Sequence, residues 1–270
     1  MPRLPAPPLP KILQPKPRKP GDNGRPLTPV EGAVEGATTA VDWIDERTSL
    51  SPALRWILFR KVPKGTNWAY TLGSATLFAF LNQAVTGVFL AMYYTPDVKG
   101  GAYESIRNIN DNVFAGHLVH GMHKWGASVM VILIFLHMGR VFFYGAYKYP
   151  RELTWIIGVV LLILTLVMAF TGYLLPFDQR SYWATIVGVN INGMGPFIGP
   201  FLSDFLRAGN EFGATTLQRF YSIHMLLLPA AIIALIGAHL YLVTKLGTTA
   251  PPWGKPNPDP VLEPEEMAEV

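Results

Sequence analysis

Residues 120–140 read HGMHKWGASVMVILIFLHMGR, and two histidines in that apolar run decide how the chain folds. His123 and His137 stand 14 residues apart, and Lys124 is the only charge between them. In an α-helix, 14 steps of about 100° return to within about 40° of the start, so both imidazoles share a face. They lie about 21 Å apart along the axis, one toward each side of a membrane.

A second pair repeats the pattern. RFYSIHMLLLP, residues 219–229, carries His224, and His239 follows 15 residues later. Fifteen steps end about 60° from the start and about 22 Å along, still on one face. Two glycine pairs share the spacing: Gly73 with Gly87, and Gly158 with Gly172, each 14 apart. A glycine inside a helix costs about 1 kcal/mol relative to alanine. Matching spacings predict a common cause, a flat group whose edge needs backbone close by.

Around these residues the chain is built for a bilayer. Of 270 residues, 50% are hydrophobic and 15% are charged. Residues 68–94, 153–177 and 220–244 contain no Asp, Glu, Lys or Arg. Spanning a hydrocarbon core takes about 20 apolar residues in a helix. Residues 115–144, interrupted by Lys124 and Arg140, make the fourth such stretch. The expected fold is all-α: a transmembrane four-helix bundle over residues 67–247 that binds two stacked hemes. Ten prolines within residues 2–29 predict an extended, disordered arm over residues 1–40. Residues 41–66 read as an amphipathic surface helix and linker, and residues 248–270 as a proline-rich acidic tail. Residues 178–219 hold Gly188, Gly193, Gly195, Pro196, Gly199 and Pro200, which predict short surface helices rather than a fifth span. The chain has no cysteine, which excludes disulfides, thiolate metal sites and thioether-linked heme. A net charge of +4 gives no reason to expect a nucleic-acid partner.

Basic residues set the orientation. Residues 1–67 hold 11 Lys/Arg against 6 Asp/Glu, and the turn between the second and third spans holds Arg140, Lys148 and Arg151. The N-terminus and that turn are therefore expected on the inner, cytoplasmic side. His123 and His224 then form an outer layer with Gly87 and Gly172, and His137 and His239 an inner layer with Gly73 and Gly158. An imidazole in lipid is costly unless satisfied, and ligation of a heme iron by two imidazoles satisfies it. Arg140, Lys124 and His120 are the candidates for heme propionates. His117 reads as a boundary histidine.

The segment 120–140, PRELTW at 150–155, GYLLPFDQ at 172–179 and RFYSIHMLLLP at 219–229 together resemble cytochrome b of the bc and bf quinol oxidoreductases. The resemblance covers about residues 41–247, and the 15-residue histidine spacing resembles the short, split bf-type form. It implies quinol oxidation on the outer side, with electrons leaving to a Rieske-type iron–sulfur protein and a c-type cytochrome. It also implies quinone reduction on the inner side and proton translocation by a Q cycle. It assigns His123 and His224 to a low-potential heme and His137 and His239 to a high-potential one, both hemes b and noncovalent. Tyr173, Tyr182 and Trp183 are the outer quinol-site candidates. The family's Pro-Glu-Trp-Tyr motif is absent, so a partner resembling subunit IV is expected to supply the remaining helices within a dimeric, lipid-embedded complex. Thr71 stands where bf-type members carry the cysteine for a third, c-type heme, and His120 replaces the family's arginine. A bacterial inner membrane is the expected location, with a thylakoid membrane as the alternative. Two other functions compete: the diheme anchor of a different respiratory oxidoreductase, and a heme-free transporter or structural membrane protein.

Overall fold

The computed structural model describes residues 41–48, 62–209 and 211–253. The proline-rich arm, most of the segment read as a surface helix, and the tail from residue 254 lie outside the described residues. They divide into two units, one holding residues 41–48 and 62–64 and the other Gly65–Trp253. In the first, residues 41–48 form helix α1, where the Arg47 guanidinium lies 4.1 Å from the Trp43 ring centre.

In the second unit Asn67 starts the first span. Its side chain accepts from the Ala69 N–H at the head of a 3₁₀ turn, Trp68–Thr71, which continues into α2, Leu72–Ala91. A short α3, Gly101–Asp111, precedes the second span, α4, Gly116–Phe143. The third span is α5, Glu152–Tyr173. Three short helices follow: α6, Gln179–Gly193; α7, Gly199–Arg207; and α8, Ala214–Ser222. A π-helical turn, Ile223–Leu227, joins α8 to α9, Leu228–Leu246. The helices long and apolar enough to cross a membrane are Trp68–Ala91, Gly116–Phe143, Glu152–Tyr173 and Ala214–Leu246, the four regions expected from the sequence. There is no strand among the described residues.

The spans associate as two pairs, α2 against α4 and α5 against α9. Lipid offers no hydrophobic drive between helices, so close approach and polar contacts must hold them. Gly126 of α4 supplies the approach: a Cβ there would run into the Gln83 and Asn82 side-chain amides. The Asn82 amide also donates to the Met122 carbonyl at 3.4 Å. Hydroxyls within the spans donate to their own helix, as Thr76 does to the Leu72 carbonyl and Thr165 to that of Leu161.

The connection between the third and fourth spans folds as surface helices, as its glycines predict, but the break falls later than expected. Gly188 lies inside α6, where the Phe170 ring of α5 occupies the space a Cβ would need. Asp178 caps α6 by accepting from the Ser181 N–H at 2.7 Å. Ala102, Leu174, Val189, Leu206, Leu217 and Phe220 pack together beneath these helices. Leu217 and Phe220 are 0% exposed, each burial contributing about 1.5–3 kcal/mol. The Tyr94 hydroxyl ties the end of the first span to this core by donating to the Leu175 carbonyl at 2.6 Å. Burial pushes its pKa above the usual phenol range, with the neighbouring Tyr221 adding to the shift, so the group stays a neutral donor. Replacing it by phenylalanine is expected to cost about 1 kcal/mol, the worth of a partly buried hydrogen bond. A lowered thermal midpoint of the detergent-solubilised protein would show it, and an unchanged midpoint would contradict it.

Candidate functional site

The structure brings the four span histidines together in two layers, His123 with His224 as facing rings and His137 with His239 on the walls of one cavity. His123 of α4 and His224 of the π-helical turn have ring centres 6.4 Å apart and planes at 77°. Two imidazoles that share one metal ion through facing nitrogens, each bonded at about 2 Å, need ring centres roughly 6 Å apart. His137 of α4 and His239 of α9 line one cavity of about 270 Å³ between the helix pairs.

Each histidine lies against one of the four glycines. A Cβ on Gly73 would sit 3.1 Å from His137 Cε1, and one on Gly87 would sit 3.3 Å from His123 Cε1. On Gly158 it would be 3.5 Å from His239 Cε1, and on Gly172 only 2.5 Å from His224 Cε1. The shared spacing of glycines and histidines therefore has a nearer cause than the edge of a flat group: each glycine leaves room for an imidazole of the paired helix. The pairing also explains why Gly73 and Gly87 match the histidines of α4, while Gly158 and Gly172 match those of the fourth span.

The unequal spacing of the two histidine pairs is resolved by the π-helical turn at Ile223–Leu227, which contains His224. Such a turn winds one extra residue into the helix. Fifteen residues then advance about as far round the axis as 14 would in a regular helix. Nothing local in residues 223–227 marks this turn beyond the spacing itself.

The ring nitrogens away from the facing pairs show how the rings are held. His123 Nδ1 lies 2.9 Å from the Thr86 hydroxyl, and His224 Nδ1 lies 3.2 Å from the Thr171 hydroxyl and 3.1 Å from the Met168 carbonyl. Neither threonine was singled out by sequence reasoning, although the repeated Thr-Gly dipeptide was a usable signal. In the other layer, the Thr154 backbone lies beside His239, yet its Nδ1 has no partner within hydrogen-bond geometry. His137 Nδ1 lies 3.4 Å from an Arg140 terminal nitrogen.

Buried polar atoms without partners concentrate in the cavity of His137 and His239. Tyr70 Oη, Arg140 Nε, Thr154 Oγ1, His239 Nδ1 and Thr249 Oγ1 all belong to residues that line it. Arg140 lies 5.1 Å from the Tyr70 ring centre and has no carboxylate partner among the described residues. A half-buried guanidinium whose Nε is buried without an anion is costly, so the cavity suits a ligand that brings acid groups. Arg151, by contrast, is engaged: it donates to the Leu246 and Gly247 carbonyls at the end of α9. Of the other propionate candidates, Lys124 is exposed and His120 pairs with the Asn110 side-chain oxygen at 2.9 Å. Neither lines this cavity. Tyr173 and Trp183 are exposed, and Tyr182 packs against Phe177, Trp183 and Phe212.

Among the described residues no three His, Cys, Asp or Glu side chains gather as a metal site. Two imidazoles per ion leave the remaining coordination to a group that brings its own donors. Paired imidazoles, apolar walls and a half-buried arginine are the surroundings that heme with its propionates requires. The residues present fit that group.

The family model for cytochrome b/b6/petB matches residues 58–247. The chain belongs to this family, whose members bind b-type heme in the membrane. It is 42% identical over 218 residues to the menaquinol:cytochrome c reductase cytochrome b subunit of Geobacillus thermodenitrificans, covering 78% of this chain and 97% of that one. It is 41% identical over 213 residues to cytochrome b6 of Heliobacterium modesticaldum, covering 78% and 100%. Among solved structures, a chain of a hyperthermophilic respiratory complex III matches with a TM-score of 0.72 and 33% identity, over 81% of this chain and 59% of that one.

The glycine contacts predict a graded response. Gly172→Ala is expected to displace His224 and lower the b-type heme content of the purified protein by about half. Gly158→Ala, which meets His239 at ordinary contact distance, is expected to retain it. Equal heme content in the two variants would contradict the packing described here.

Proposed function

We propose that this chain is the cytochrome b subunit of a quinol:cytochrome c oxidoreductase, or of one with a plastocyanin-like acceptor, and that it carries two noncovalent hemes b in series across the membrane. The observation that carries the reading is the grouping of four span histidines into two layers. Membership in a family whose relatives include a menaquinol:cytochrome c reductase subunit supports a quinol as the substrate class. Electron carriage is the chemistry the hemes supply when bound. The chain's own part would be to hold them: His123 with His224 and His137 with His239 would supply the iron ligands, and Gly87, Gly172, Gly73 and Gly158 would give clearance for those rings. Arg140, with the Tyr70 and Thr249 hydroxyls, binds the carboxylates of the inner group. The apolar walls exclude water, which keeps the imidazoles neutral and available as ligands.

Quinol is oxidised on the side of His123 and His224, beneath the short helices α6–α8, where Tyr173, Tyr182 and Trp183 lie close to the surface. Quinone is reduced on the side of His137 and His239, and proton translocation follows from placing the two reactions on opposite sides. The basic N-terminal region puts the second side in the cytoplasm of a bacterial cell. The chain spans 59% of the complex III chain it matches. A second, subunit-IV-like chain completes the quinol site. A Rieske-type iron–sulfur protein and a c-type cytochrome complete the path in a dimeric complex. Thr71, whose hydroxyl donates to the Trp68 carbonyl, cannot form a thioether, so no c-type heme attaches at that position.

Purification of the intact complex, followed by acidic-solvent extraction and heme counting, tests the proposal. Two extractable hemes b per chain, with inhibitor-sensitive reduction of a c-type cytochrome by quinol, are expected. One heme or none would overturn it. Arg140→Leu is expected to weaken retention of the inner heme on detergent washing by about tenfold, since losing a partner that supports a bound metal group typically costs about 10–100-fold in affinity. Arg140→Lys is expected to restore part of it.

A further inference from the structure

Resting on the two-heme reading, we infer that Thr86 and Thr171 are positioning residues that strengthen the histidine ligands of the His123–His224 layer alone and so lower the reduction potential of its heme. The two sites are built alike. Thr86 immediately precedes Gly87 and Thr171 immediately precedes Gly172, so the residue that clears space for an imidazole follows the one whose hydroxyl meets its Nδ1. Each hydroxyl proton is already committed. Thr86 donates to the Asn82 carbonyl at 2.6 Å, and Thr171 donates to the Met168 carbonyl at 3.0 Å. The hydroxyl oxygen facing each ring is therefore an acceptor, and Nδ1 carries the proton.

The backbone makes the same assignment. The Met168 carbonyl accepts from His224 Nδ1, and the Gln83 backbone lies beside His123 as a hydrogen-bond partner. Both residues stand four before their glycine. With the proton fixed on Nδ1, the lone pair of Nε2 is left for the iron. An acceptor on Nδ1–H pushes electron density toward Nε2 and makes the imidazole the stronger donor. A stronger donor favours ferric over ferrous iron.

The other layer shares a backbone neighbour of this kind, Thr154, four before Gly158 and beside His239, but it lacks the hydroxyls. The residues before Gly73 and Gly158 are Leu72 and Ile157, which have no hydroxyl. His239 Nδ1 has no partner within hydrogen-bond geometry. His137 Nδ1 faces a guanidinium nitrogen, which can only donate. The two layers thus differ at one position relative to each glycine, and the difference orders their ligand strengths.

The test is redox titration of b-type absorbance, with low-temperature electron paramagnetic resonance of the ferric hemes, on the full complex carrying Thr86→Val, Thr171→Val or both. Thr86→Ser and Thr171→Ser are the rescuing variants, and Thr→Ala at each position reads the effect should valine disturb assembly. The component lost in His224→Leu identifies the affected layer. In the valine or alanine variants that component is expected to become easier to reduce, with its ferric-to-ferrous ratio at a fixed potential falling about tenfold, or ~59 mV for one electron. Its resonance signal is expected to move, the other component to stay, and serine to restore both readings. Two b-type components at wild-type potentials in every threonine variant would overturn this inference and leave the two-heme reading intact. A wild-type complex with a single b-type component would overturn both.

Discussion

Each span histidine lies in the gap a glycine leaves on the paired helix, and much of the bundle follows from that contact. The first and second spans meet through Gly73 with His137 and Gly87 with His123. The third and fourth meet through Gly158 with His239 and Gly172 with His224. A side chain at Gly172 would run into the His224 ring, and one at Gly73 or Gly87 would crowd the ring it faces, whereas Gly158 leaves His239 at ordinary contact distance. The glycines lose about 1 kcal/mol each in helix propensity. Close approach of helices and correct aim of ligands offset that cost together, which is why a 14-residue spacing recurs on three spans and a 15-residue spacing, with its π-helical turn, on the fourth.

Once the helix pairs are fixed, the two layers acquire different chemistry. The His123–His224 layer has hydroxyl and carbonyl acceptors behind its rings and sits below a packed core of Leu174, Leu217 and Phe220. The His137–His239 layer opens into a cavity where Arg140, Tyr70 and Thr249 present polar atoms without protein partners.

Much of this was legible in the sequence because membrane helices leave few choices. Three charge-free runs and one broken only by Lys124 and Arg140 marked the four spans, and the 14- and 15-residue spacings put each histidine pair on one face of its helix. The π-helical turn at Ile223–Leu227 was not legible, because nothing in those residues separates a π turn from an α turn except its effect on register. Gly188 was misjudged as a breaker because it faces a phenylalanine from the third span, a tertiary contact that composition does not reveal. Thr86 and Thr171 were passed over since a threonine in a span usually bonds only its own helix. Theirs do so and meet a histidine as well. The candidates Lys124 and His120 were chosen for their place beside the outer layer, where Lys124 is exposed and His120 pairs with Asn110.

The most direct measurement is an optical redox titration of the intact complex carrying His239→Leu. The account predicts that one b-type component disappears while the component belonging to His123 and His224 keeps its amplitude and potential. Two components at full amplitude in a correctly assembled complex would contradict it.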